Sequence, residues 1–147
     1  MVILAAVGEN RDPTEIIETA NELATAFDDE LQVLHVLPEK EAEEHFESIQ
    51  SIDAFSDYSF SIEVDRAEDV AEQFIEGTLG KDPAGDVSAV GRVGDPTDEI
   101  LSAIETIEPR YFVLGGKNRS PTGKALFGSV TQSVILNADR PVVTVMN

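Results

Sequence analysis

The chain has 147 residues, 41% of them hydrophobic, which suits one domain with a real core and excludes a disordered segment. It has no cysteine and two histidines, which excludes disulfides, thiol nucleophiles and cysteine-based metal sites. Its 29 acids against four lysines and six arginines leave a net charge of −19, which excludes duplex nucleic acid and anionic membranes as natural partners.

Along the chain, short β-branched runs alternate with amphipathic segments, the pattern of a parallel sheet covered by helices. Residues 2–7 are uniformly apolar and predict a strand buried on both faces. Pro13 suits a helix start, and Ile16, Ile17, Ala20, Leu23, Ala24 and Phe27 then recur at helical spacing. Residues 31–37 predict a second strand, stopped by Pro38. Residues 39–47 suggest a short acidic helix, and residues 48–61, mixing Ser, Asp and aromatics, a mobile cover. Helical periodicity resumes at Ala67 with Val70, Ala71, Phe74, Ile75 and Leu79, ending near Gly80. Residues 87–93 predict a third strand; Gly94-Asp95-Pro96 opens a helix with Ile100, Leu101, Ile104 and Ile107 inward. Residues 111–114 form a fourth strand running into Gly115-Gly116. After a long loop, Ser129 and Gln132 match a capping box, with Val130, Val134 and Ala138 as the inner stripe. Residues 141–146 close the chain as a fifth strand. The reading is one α/β domain over residues 1–147, with no linker or repeat.

The charge is unevenly spread. Residues 1–109 carry 28 acids and five bases, while residues 110–147 carry Arg110, Lys117, Arg119, Lys124 and Arg140 against Asp139 alone. That basic stretch includes a glycine-punctuated loop from Gly115 to Ser129, between a strand and a helix N-terminus. Free N–H groups, the helix dipole and three loop cations there make an anion site. A basic loop that only packs or holds salt anions is the alternative. The loop is not a P-loop: Asn118 stands where GxxxxGK[ST] needs Gly, and Ala125 follows Lys124. The turn Gly8-Glu9-Asn10-Arg11 likewise lacks the GxGxxG of a dinucleotide fold. The scattered acids read as adaptation to a salt-rich cytoplasm, where screening mutes self-repulsion, with an ordinary acidic protein as the plainer alternative. The first apolar run is too short for a signal peptide, and no run approaches the roughly 20 residues of a membrane helix, so the expected location is cytoplasmic.

Several features occur together: the His35-Val36 strand ending, Gly94-x-Pro96, and a Gly115-x-x-Asn118 segment followed after nine residues by Gly128-Ser129. With the terminal Pro141-Val142-x-x-Val145 strand, they resemble the universal stress protein family over essentially the whole chain. The resemblance implies a five-stranded parallel sheet of order 3-2-1-4-5 with helices on both faces, and a crevice between strands one and four. It implies ATP, with or without Mg²⁺, held with phosphates and ribose against Gly115, Asn118, Gly128, Ser129, Val130 and Thr131. Arg119 and Lys124 would reach the outer phosphates, and Val36 would offer backbone groups to adenine. Val7, Gly8 and Leu114, at the ends of strands one and four, would border the same crevice. Two positions depart from the family pattern: Asn118 replaces the second glycine, and Gly8 stands where ATP-binding members carry an acid. The implied strand order puts the apolar segment from Pro141 to Met146 at a sheet edge, a liability that self-pairing would remove, so a homodimer through this strand is expected.

His35, at the end of a buried strand, is expected to be a structural, hydrogen-bonded residue, and His45 a solvated one. No residues suggest a dedicated catalyst. The expected function is nucleotide binding as a regulatory signal, not enzymatic turnover. The alternative is a nucleotide-independent dimeric interaction protein of the same fold.

Overall fold

The computed structural model describes residues 1–8, 12–38, 59–116 and 128–146. Its strands are β1 (Val2–Val7), β2 (Glu30–Pro38), β3 (Val87–Gly94), β4 (Tyr111–Gly116) and β5 (Val142–Met146). The helices are α1 (Thr14–Phe27), α2 (Ser59–Leu79), α3 (Pro96–Ile107) and α4 (Ser129–Asn137). All strand pairs are parallel, in the order β3-β2-β1-β4-β5. This is the expected α/β sheet.

Because side chains alternate across a strand, β1 feeds two cores. Ile3, Ala5 and Val7 pack with Ile16, Ile17 and Ala20 of α1 and with Ala71 and Ile75 of α2. Leu4 packs the opposite way, with Ile100, Ala103 and Ile104 of α3, Phe112 of β4 and Val134 of α4. Burial on both faces is why the inner strands β1 and β4, and most of β2, read as apolar runs.

Helix α2 begins at Ser59, eight residues before the predicted start at Ala67. Its inward row runs through Glu63, Ala67, Ala71 and Ile75, and the carboxylate at Glu63, only 2% exposed, broke the apolar pattern. Glu63 sits 3.8 Å from Arg66 in an ion pair. The expected acidic helix at 39–47 and most of the expected cover at 48–61 lie outside the described residues; Ser59 to Ser61 belong to α2. Close packing of α2 on β3 requires Gly91, where a Cβ would collide with the backbone of Glu68 and Val64.

Asp95 caps α3, its carboxylate accepting from the Asp98 N–H at 3.0 Å, and Pro96 follows at the first turn as expected. The capping box predicted at Ser129 is absent. Gly128 holds the N-cap position, no side chain caps the helix, and Ser129 is already its first residue. One residue of offset puts the Ser129 hydroxyl past the N–H groups it would have capped.

At the N-terminal ends of the strands, Arg110 donates to both oxygens of Asp29 (2.7 and 3.4 Å). Its guanidinium lies 4.6 Å from the centre of the Phe27 ring, which packs on Tyr111. The hydrogen bond from Arg110 holds the Asp29 carboxyl below the usual carboxylate range. Arg140 donates to the Pro109 carbonyl at 2.7 Å.

Candidate functional site

The sheet changes winding direction between β1 and β4, because β1, β2 and β3 extend one way and β4 and β5 the other. Helices leave such neighbouring strands toward opposite faces, so a crevice opens at the strands' C-terminal ends. A cleft of about 300 Å³ lies there. Its lining includes Ala6, Val7 and Gly8 from the β1 end, Leu34, His35, Val36 and Pro38 from β2, and Leu114 and Gly115 from β4. Ile16 of α1, Pro96 and Ile100 of α3, and Val130 and Thr131 of α4 complete it.

Seven of the predicted site residues thus meet in one cavity: Val7, Gly8, Val36, Leu114, Gly115, Val130 and Thr131. Gly128 and Ser129 open α4 without lining the cleft. Asn118, Arg119 and Lys124 lie outside the described residues. Sequence reasoning missed Ala6, Ile16, Leu34 and Ile100, whose apolar side chains carried only a core signal, and Pro38, which carried only that of a strand end. It also did not count His35 and Pro96 as lining, although both belong to motifs that it used.

The α4 end faces this cleft with open donors. The first intrahelical bond runs from Gln132 N–H to the Gly128 carbonyl (2.9 Å). That leaves the N–H groups of Ser129, Val130 and Thr131 without an intrahelical acceptor and with no side-chain cap. Thr131, 8% exposed, donates its hydroxyl to the Gly115 carbonyl at 2.9 Å and so joins α4 to the end of β4.

Glu30 N–H bonds Met1 in β1's direction and Leu31 N–H bonds Asp86 in β3's direction. By that alternation the peptide groups of Gln32, Leu34 and Val36 turn toward β1. The last β1–β2 pair is Val7 with His35, so Val36 lies one position beyond it. His35 is 4% exposed, and its Nδ1 lies 3.0 Å from the Val7 carbonyl. A carbonyl only accepts, so Nδ1 carries the hydrogen of this bond. Nε2 is buried with no hydrogen-bond partner among the described residues, a cost of about 1–3 kcal/mol. The structural role expected for His35 holds, with one atom left over.

One charge inference changes. Arg110 and Arg140 are engaged at the opposite ends of the strands, so the C-terminal excess of cations is only partly a property of the loop. Asp12 spends its carboxylate on the Thr14 hydroxyl (2.6 Å) and N–H (3.0 Å), and the hydroxyl bond, then the N–H bond, lower its pKa. It is not among the residues lining the cleft. Among the described residues, no cluster of His, Asp or Glu has the grouping of a metal site, and no helix is long and apolar enough to cross a membrane.

Comparison with known proteins agrees with this architecture. A universal stress protein of Mycolicibacterium smegmatis is 39% identical over 51 residues, a match spanning 35% of this chain and 39% of that protein's length. A universal stress protein structure from Archaeoglobus fulgidus is 28% identical with a TM-score of 0.62, covering 98% of this chain and 97% of the other. Two nucleotide complexes share the fold. One is a universal stress protein with cAMP (18% identity, TM-score 0.58, coverage 99% and 95%). The other is the Archaeoglobus fulgidus protein with dAMP (21%, 0.54, 98% and 96%). The family model for universal stress proteins matches residues 1–146, and the chain belongs to that family.

Proposed function

We propose that this chain binds a nucleotide in the crevice at the ends of β1, β2 and β4, as a regulatory signal and not as a substrate for turnover. The observation that carries this is the uncapped α4 N-terminus, whose three open N–H groups adjoin a cleft that Val36 lines at the end of β2. Such an end attracts phosphate, and a backbone edge suits a base. The cAMP and dAMP complexes of relatives support the same ligand class. In ATP-type binding, Gly115, Gly128, Ser129, Val130 and Thr131 would border phosphate and ribose, with Asn118, Arg119 and Lys124 from the loop. Val7, Gly8 and Leu114 would floor the crevice. With Gly8 in place of an acid, affinity is weak and base selectivity poor. Among the described lining residues His35 is the one titratable side chain, so no acid–base pair supports an enzymatic reading.

The proposal extends to one cytoplasmic domain, working as a homodimer in a salt-rich cell. At the β5 edge, residues 128–146 carry only Asp139 and Arg140 as charges, while Leu136, Ile135 and Met146 are exposed. In a chain of net charge −19, this neutral, apolar region is where a second copy meets least repulsion. That surface also favours the second reading, a dimeric interaction protein that has no nucleotide.

Calorimetry with ATP, GTP and AMP at high salt, with and without Mg²⁺, decides between them. Heat at submillimolar ligand, lost in Gly128→Val, is the expected result. The Gly128 φ of −66° is open to valine, so the variant should fold. No heat at millimolar ligand, with Gly128→Val altering stability alone, would establish the interaction-protein reading.

A further inference from the structure

We propose that His35 and Thr131 are positioning residues for the two walls of the crevice, His35 acting on the nucleoside part of a ligand and Thr131 on its phosphate. This rests on the nucleotide reading above. Each is a buried polar side chain that donates to the carbonyl at or near the end of a strand flanking the switch point: His35 to Val7 of β1, Thr131 to Gly115 of β4.

On the β2 side, regular parallel pairing makes the Val7 carbonyl the next acceptor for Val36 N–H, following Glu30 on Met1. His35 brings its own donor to that carbonyl. It thereby adds a second donor to the carbonyl that ends the β1–β2 ladder and ties the two strand ends together where Val36 borders the cleft. An apolar residue at position 35 would bury equally well and would not leave Nε2 unpaired, so the imidazole is best explained by the bond to Val7.

On the β4 side, α4 is nine residues long and lacks a side-chain cap. The Thr131 hydroxyl ties its first turn to β4. The bond fixes where the open N–H groups of Ser129, Val130 and Thr131 point. It bears on a phosphate and not on a base, because those donors are the anion-binding part of the site.

Calorimetric titrations of adenosine and AMP against two pairs of variants separate the roles. Thr131→Val removes the donor at nearly constant shape; AMP affinity should fall about fivefold while adenosine affinity holds, and Thr131→Ser should recover it. His35→Leu should weaken adenosine and AMP by the same factor, about fivefold, and His35→Asn, which keeps a donor near the Nδ1 position, should recover both. Equal loss of both ligands in Thr131→Val, or failure of the Ser and Asn variants to recover binding while melting like the wild type, would overturn the proposal. Wild-type protein that binds neither adenosine nor AMP would instead remove the nucleotide reading on which it rests.

Discussion

Replacing Gly8 by aspartate should tighten adenosine binding. A Cβ built on Gly8 meets nothing within 4 Å, and its φ lies outside the positive region that only glycine adopts readily. The fold should therefore accept the side chain within about 0.5 kcal/mol, helped by the smaller entropy of the unfolded chain. A carboxylate accepting a hydrogen bond from a ligand hydroxyl or amino group contributes about 1.5–3 kcal/mol. Ordering the side chain takes back roughly 0.5–1 kcal/mol. The net of about 1–2 kcal/mol corresponds to roughly 5–30-fold in affinity. The gain should shrink from adenosine to AMP to ATP, since the new charge repels phosphate. Calorimetry at constant high salt measures the series, and Gly8→Asn separates hydrogen bonding from charge. If Gly8→Asp melts like the wild type and binds adenosine no more tightly, position 8 does not face the nucleoside and the reasoning fails.

Gly91→Ala should cost about 1–3 kcal/mol, or roughly 2–10 °C in Tm, because its Cβ meets backbone and not a movable side chain; an unchanged melt would mean that α2 can shift freely. The depressed pKa of Asp29 implies stabilisation that is complete above the usual carboxylate range and is lost as pH falls through the lowered value. Arg110→Met should flatten that acid limb of the Tm–pH curve, and parallel curves for the two proteins would argue against the pairing. Thermal melts in rising KCl should shift upward, given the net charge of −19; a flat or falling midpoint would remove the saline reading. Light scattering at high salt should show a dimer that Met146→Lys dissociates, Val143 being a poorer probe because it packs against the core. A monomeric wild type would refute self-association.

All five strands were legible to within two residues at each end: β1, β2 and β4 because inner strands are largely apolar, the half-buried edge strands β3 and β5 by their β-branched content. The order of the strands was not: it followed from the family resemblance, because periodicity records which face is buried and not which neighbour covers it. The α2 start was hidden by Glu63, a buried carboxylate that breaks the apolar stripe. The capping box failed because Ser129 and Gln132 have the right spacing in a helix that begins one residue too early. At the site, Gly115, Val130 and Thr131 could be read from the loop signature. The engagement of Arg110 and Arg140 elsewhere could not, because a count of charges along the chain carries no direction in space.

Beside the His35 and Thr131 side chains that line the cleft, its polar surroundings are peptide groups, foremost the adjoining N–H donors of Ser129, Val130 and Thr131. Every amino acid but proline supplies the same donor, so ordinary substitutions at these positions leave the recognition chemistry in place. Such a site is a property of chain path more than of residue identity, and it can outlast extensive sequence drift. Its weak points are correspondingly unusual. Deleting a side chain at Val130 should matter less than a proline there, which would leave the helix start intact and silence one donor.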